Sequence, residues 1–189
     1  GENLQDSGRR GDGMKLNKGL VHYYYGNGKG KTTAAMGLAL RALGCGLQVL
    51  VGQFLKNGTS GEIGMLRQMG ASILAVEGLT GFSFSMTPEE KAACAAEQNL
   101  NLETAAAAAA EGSCDLLILD EIGSALALDL VNRERLFALL QNRAPSVEVA
   151  MTGHKLDPEL HDAADYVTRM EKQKHPYDQG IMARKGIEF

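Results

Sequence analysis

A doubly wound α/β fold, with a mostly parallel sheet between two layers of helices, is predicted by three features of this 189-residue sequence. Short, nearly continuous apolar runs alternate with helical stretches, the pattern of parallel strands covered on both faces. A glycine-rich segment, Gly26-Asn27-Gly28-Lys29-Gly30-Lys31-Thr32-Thr33, joins the first of these strands to the first helix. A later apolar run, Leu116-Leu117-Ile118-Leu119, leads into two carboxylates, Asp120 and Glu121, at the strand end where open α/β sheets bind ligands.

The first strand is expected over 20–25, an apolar and aromatic run that stops at the glycines, and good helix formers then predict a helix over 31–43 that ends at Gly44. Further strands are expected over 47–54, 73–76, 116–119 and 147–151, and helices over 62–69, 88–111, 133–142 and 159–163. Pro88 and Pro158 stand where first-turn prolines belong, after Thr87 and Asp157 as capping residues. The alanine run 105–110 continues the helix begun at Pro88, because alanine is the best helix former. From Tyr166 onward the sequence offers a short strand candidate and a loop around His175-Pro176. No repeat or linker divides the chain. The expected organisation is a polar, glycine-rich N-terminal arm, 1–13, read as flexible or in part the remnant of a cleaved tag, followed by one domain over 14–189.

With 44% hydrophobic and 22% charged residues the composition is that of an ordinary globular protein with a sizeable core. The formal net charge of −4 supplies no basic field, so nucleic acid is not an expected partner. Cys45, Cys94 and Cys114 are too few and too far apart for a disulfide framework or a CxxC metal pair, and read as reduced thiols. No apolar run approaches the roughly 20 residues that span a bilayer, and no secretory signal is evident, so a cytoplasmic location away from membranes is expected.

The glycine segment points to phosphate. Its glycines let the backbone turn tightly and bring N–H groups to an anion, Lys31 adds a mobile positive charge, and Thr32 offers a hydroxyl to Mg²⁺. The general pattern G-x-x-x-x-G-K-[ST] requires glycine six residues before the lysine; that position is Tyr25, and Gly26 comes one residue late. The expected fold is therefore a P-loop NTPase-like (RecA-like) three-layer sandwich with a modified loop. Asp120 and Glu121 fit a Walker B pattern, holding Mg²⁺ directly or through water opposite Thr32. The candidate metal ligands are thus Thr32, Asp120 and Glu121, and the candidate catalytic residues Lys31, Thr32 and Glu121. The candidate phosphate binders are Gly26, Asn27, Gly28, Lys29, Gly30, Lys31, Thr32 and Thr33. Arg41, ten residues along the following helix, is a further phosphate candidate, with a solvent-facing arginine as the competing reading.

Several segments together resemble the P-loop class of ATP:corrinoid adenosyltransferases. These are Gly26-Asn27-Gly28-Lys29-Gly30-Lys31-Thr32-Thr33, Gln53-Phe54-Leu55-Lys56, Leu119-Asp120-Glu121, Met151-Thr152-Gly153, Ala164-Asp165, Lys174-His175-Pro176-Tyr177-Asp178-Gln179-Gly180 and Gly186-Ile187-Glu188-Phe189. The resemblance runs from Leu20 to Phe189 and is most specific in the shortened loop and the K-H-x-x-x-x-G tail. It implies transfer of the 5′-deoxyadenosyl group of ATP to the Co(I) centre of a corrinoid with release of triphosphate, Mg²⁺ as cofactor, a homodimer, and a reduced flavin or flavoprotein as electron donor. Co(I) is itself a strong nucleophile, so such a protein needs no catalytic base and instead positions the ribose C5′ in line with cobalt.

Gly81-Phe82-Ser83-Phe84 resembles the family's G-F-T-W segment, which implies that Phe82 and Phe84 approach the lower face of the corrin; packing in the core is the alternative for either ring. Phe84 stands where the family often has tryptophan, and His154 where it commonly has arginine. His175 has a structural hydrogen-bonding role as an alternative, and no second ligand sits at a spacing useful for a metal. Two other classes remain open at this level: another Mg²⁺-dependent P-loop kinase or NTPase, and a non-catalytic nucleotide- or corrinoid-binding protein.

Overall fold

The computed structural model describes residues 14–56, 60–75 and 84–188. The elements, in chain order, are β1 (Val21–Tyr25), α1 (Lys31–Gly44), β2 (Val49–Gln53), α2 (Gly61–Gln68), β3 (Ser72–Leu74), α3 (Pro88–Glu111), β4 (Leu116–Asp120), α4 (Ile122–Ala127), α5 (Arg133–Asn142), β5 (Glu148–Gly153), α6 (Pro158–Ala163) and β6 (Tyr166–Arg169). A 3-10 turn, Pro176–Gln179, follows in the tail. The N-terminal arm expected over 1–13 lies outside the described residues, as does Val76 at the end of the strand expected over 73–76.

The strands form one six-stranded sheet in the order β3-β2-β4-β5-β1-β6, and every described pairing is parallel. Strand alternation splits the core in two. Val21 and Tyr23 of β1 and Leu117 and Leu119 of β4 pack with α3, α4 and α5 on one face. Leu116 and Ile118 of β4 and Val49 and Val51 of β2 pack with α1 and α2 on the other. This is the three-layer α/β arrangement the sequence predicts.

Local signals explain the helix boundaries. α3 opens on a capping box in which the Thr87 hydroxyl accepts from the Glu90 N–H and the Glu90 carboxylate accepts from the Thr87 N–H. It closes on Gly112 in the left-handed region, at φ 65°. Asp157 caps α6 by accepting from the N–H groups of Glu159 and Leu160. α4 has no counterpart among the expected helices: it starts directly after β4, where Glu121 takes φ 63° and turns the chain from strand to helix with no intervening loop.

Candidate functional site

The phosphate-loop strand β1 and the acidic strand β4 are separated by β5, and all three end on the same rim of the sheet. Asp120 lies two residues beyond Ile118, so alternation turns its side chain to the α1 face, where it is fully buried. Its Oδ1 accepts two hydroxyls, Thr32 at 2.9 Å and Thr152 at 2.8 Å. Its Oδ2 accepts from Lys56 Nζ at 3.0 Å, and the same ammonium lies 3.3 Å from Thr32 Oγ1. Burying a carboxylate without such partners is costly. Thr152 Oγ1, whose proton is donated to Asp120, accepts from the Glu121 N–H at 2.7 Å, so one side chain on β5 holds both acidic residues.

Lys31 begins α1, and Gly30 precedes it at φ 111°, a conformation that favours glycine. The first-turn N–H groups of α1 have no acceptor within the helix and carry the positive end of its dipole. The Lys31 ammonium donates to the Gly28 carbonyl at 2.7 Å. Burial pushes its pKa below the ordinary lysine value, Glu121 opposes that shift, and Lys56 adds to it. Lys31 therefore feels a second ammonium, Lys56, and two carboxylates, Glu121 and Asp120.

Gly26 and Gly28 differ from expectation in how they serve the loop. Their N–H groups are committed, to the His154 carbonyl at 3.2 Å and the Met170 carbonyl at 2.8 Å. A Cβ on Gly26 would meet Met170 O at 2.2 Å and one on Gly28 would meet the same oxygen at 2.8 Å. These two glycines let the segment after β6 pass against the loop, and the N–H groups left to face an anion come from farther along it. Asn27 also ties that segment down, its Oδ1 accepting from the Lys172 N–H at 3.0 Å. Lys29 is half exposed and pairs with Glu188 at 3.2 Å.

Arg41 is not brought to the loop. It lies in the last turn of α1, about 15 Å along the axis from Lys31 at 1.5 Å per residue, and is exposed. Its charge is felt instead by the Tyr24 hydroxyl. Phe84 is 90% exposed, which rules out core packing for that ring, while Phe82 lies outside the described residues. His175 caps the 3-10 turn, its Nδ1 accepting from the Tyr177 N–H at 3.1 Å, as the structural reading expects. His154 holds the loop through its backbone carbonyl, a contact that does not depend on its side chain.

A groove of about 670 Å³ opens beside the loop, running from Thr32 and Thr33 between α1 and α2 over Met36, Leu40 and Met65, with Ile187 on its rim. Sequence reasoning missed Thr152 and Lys56 as members of the site. Both stand in segments that carry the family resemblance, Met151-Thr152-Gly153 and Gln53-Phe54-Leu55-Lys56, yet only the strand order brings them to Asp120.

A glycine-lined turn into a helix N-terminus, a lysine and a threonine at its first two positions, and a buried carboxylate facing that threonine define a P-loop nucleotide-binding protein. The family model for ATP:corrinoid adenosyltransferase BtuR/CobO/CobP matches residues 17–189. A corrinoid adenosyltransferase of Pseudomonas aeruginosa is 34% identical over 173 residues, covering 91% of this chain and 84% of that protein. The corrinoid adenosyltransferase of Escherichia coli K12 is 33% identical over 174 residues, with 91% and 86% covered, and the corrinoid adenosyltransferase CobA of Salmonella typhimurium is 34% identical over 183 residues, with the same coverage. The chain belongs to the ATP:corrinoid adenosyltransferase family. It is an enzyme whose substrates are ATP and a corrinoid, and the kinase, NTPase and non-catalytic alternatives are not favoured. No helix among the described residues is long and apolar enough to cross a membrane.

Proposed function

We propose that this chain moves the 5′-deoxyadenosyl group of ATP to Co(I) of a corrinoid by gripping the triphosphate leaving group in the loop 26–33 and leaving the ribose C5′ facing the cobalt. The observation that carries this reading is the cluster of Lys31, Thr32 and Asp120 at the mouth of the loop, because charge develops on the leaving phosphates as the C5′–O bond breaks. The new bond joins cobalt and C5′ with the electron pair of Co(I), and the displaced electron pair stays on triphosphate. Lys31 and the first-turn N–H groups of α1 receive that charge, and no proton has to move at carbon.

The hard oxygen donors of Thr32, Asp120 and Glu121 suit a small divalent cation, with phosphate oxygens and water as its remaining ligands. When bound there, Mg²⁺ would neutralise leaving-group charge. Asp120 would hold it directly or through water, and Thr152 would keep both acidic residues in place. Phe84, exposed beside the start of α3, is our candidate for contact with the corrin. Family resemblance supports a homodimer of the 14–189 domain, a reduced flavin or flavoprotein donor and a cytoplasmic location.

The test is to incubate the protein with MgATP and a chemically reduced corrinoid. A light-sensitive Co–C product together with triphosphate is expected; release of ADP and phosphate without alkylated corrinoid would sink the reading.

A further inference from the structure

The Asp120 carboxylate divides its two oxygens between different kinds of partner. Oδ1 takes neutral hydroxyls, and Oδ2 takes the Lys56 ammonium. That ammonium also reaches Thr32 Oγ1, so it bridges the two oxygen atoms that a divalent cation at this site would use. Among the described residues Lys56 is the one cation hydrogen-bonded to Asp120; Lys31 is directed to the Gly28 carbonyl.

The chain is shaped to bring Lys56 there. Leu55, just before it, takes φ 60°, a left-handed conformation that a bulky side chain rarely adopts. The strain is held by neighbours: the Phe54 N–H donates to the Asp120 carbonyl at 3.0 Å, the Phe54 ring is fully buried, and the Leu55 N–H donates to buried Gln98 at 3.3 Å. A further group of the same rim is unsatisfied. Gln53, the register partner of Asp120 on β2, is fully buried, and neither atom of its amide has a hydrogen-bond partner among the described residues. Such a group calls for water or a ligand.

We propose that Lys56 is a positioning residue that competes with the divalent cation for Asp120: its ammonium holds Asp120 and Thr32 together, and cation binding displaces it toward the triphosphate. The inference rests on the metal assignment proposed above. The Lys56 side chain is about one-third exposed and flexible, so its ammonium has room to leave Asp120, which is enclosed.

The experiment is calorimetric titration of inorganic triphosphate into wild type, Lys56→Met and Lys56→Arg, in EDTA and at stepped Mg²⁺ concentrations, with thermal unfolding to confirm that each variant is folded. For Lys56→Met we expect the Mg²⁺ concentration giving half of the cation-dependent gain to fall about tenfold, and triphosphate binding in EDTA to weaken about tenfold. Lys56→Arg restores the binding in EDTA. An unmoved or raised Mg²⁺ half-point in folded Lys56→Met overturns the inference and leaves the metal assignment standing. Wild type whose triphosphate binding ignores Mg²⁺ sinks the metal assignment, and the inference with it. Should Lys56→Met not fold, the ¹⁵Nζ resonance of Lys56 in wild type, assigned by its loss in Lys56→Arg, decides: it shifts with Mg²⁺ at fixed triphosphate if the ammonium is displaced, and an unshifted resonance overturns the inference.

Discussion

Thr32, in the first turn of α1, donates its hydroxyl proton to Oδ1 of Asp120 at the end of β4, across 2.9 Å. The Lys56 ammonium reaches a lone pair of the same hydroxyl oxygen at 3.3 Å, while Asp120 is held from a second side by Thr152. Asp120→Asn keeps the shape and removes the charge, and is expected to weaken Mg²⁺-dependent activity about 10–100-fold. Thr32→Ser retains the hydroxyl and stays within several-fold of wild type, whereas Thr32→Val fails. Measurement of kcat/KM against Mg²⁺ concentration separates the three.

Lys31→Ala should lower kcat/KM by about 10²–10³-fold through loss of charge at the leaving group. The pH profile gives a second check. Burial depresses the Lys31 pKa, so the charged form is lost as pH rises through a value below the ordinary lysine figure of about 10.4. Activity is expected to show an alkaline limb starting below that figure, and Lys31→Arg, which stays charged, should lack it. An unchanged alkaline limb in active Lys31→Arg would remove Lys31 as its cause.

Gly26→Ala places a methyl group 2.2 Å from the Met170 carbonyl at a residue with φ 123°. Relief requires the loop and the segment after β6 to part. A loss of about 1–3 kcal/mol or more in stability is expected, with triphosphate affinity falling in parallel. Denaturant unfolding and calorimetry read the two effects.

Arg133 joins the start of α5 to the cap of α6 through a two-pronged contact with Asp157, at 2.6 and 3.2 Å. The Arg133 hydrogen bonds hold the Asp157 pKa below its ordinary value, although its burial opposes this. A carboxyl depressed in the folded state contributes stability that is complete above its unfolded pKa, about 3.9, and is lost as pH falls through the folded value. The stability difference between wild type and Asp157→Asn should therefore be constant near neutrality and shrink below about pH 4. A difference that grows on acidification would contradict the assignment.

Cys45 is exposed, whereas Cys94 and Cys114 are buried. Burial pushes the Cys114 thiol up to about 11 and raises Cys94 as well. One equivalent of iodoacetamide should add to the native protein, at Cys45, with the other two thiols reacting only after denaturation. Mass spectrometry of the digested adduct reports the sites.

What the sequence made legible was local. The loop, the start of α1 and the strand before Asp120 each announce themselves within about ten residues, because glycine, lysine and a buried apolar run have conformational or chemical meaning on their own. α4 was hidden: six residues are too few to show helical periodicity, and Glu121 begins it at positive φ with no glycine or proline to mark the turn. β5 runs two residues past its expected end at Met151, and those residues include Thr152, whose hydroxyl completes the Asp120 site. Lys56 and Met170 could not be assigned because their partners lie 64 and 142 residues away, at Asp120 and Gly28, and only the strand order joins them. For Arg41 the solvent-facing reading is the one the helix favours, because ten residues along α1 put it about 15 Å from Lys31.

The place of β1 between β5 and β6 has a consequence for biosynthesis. Both of its neighbours, β5 and β6, are translated more than a hundred residues later, and the loop leans on carbonyls of His154 and Met170. A ribosome-bound chain thus displays its nucleotide motif before the walls that shape it exist, so ligand capture must await the synthesis of β5 and β6. Until then the hydrophobic side of β1 is material for chaperones.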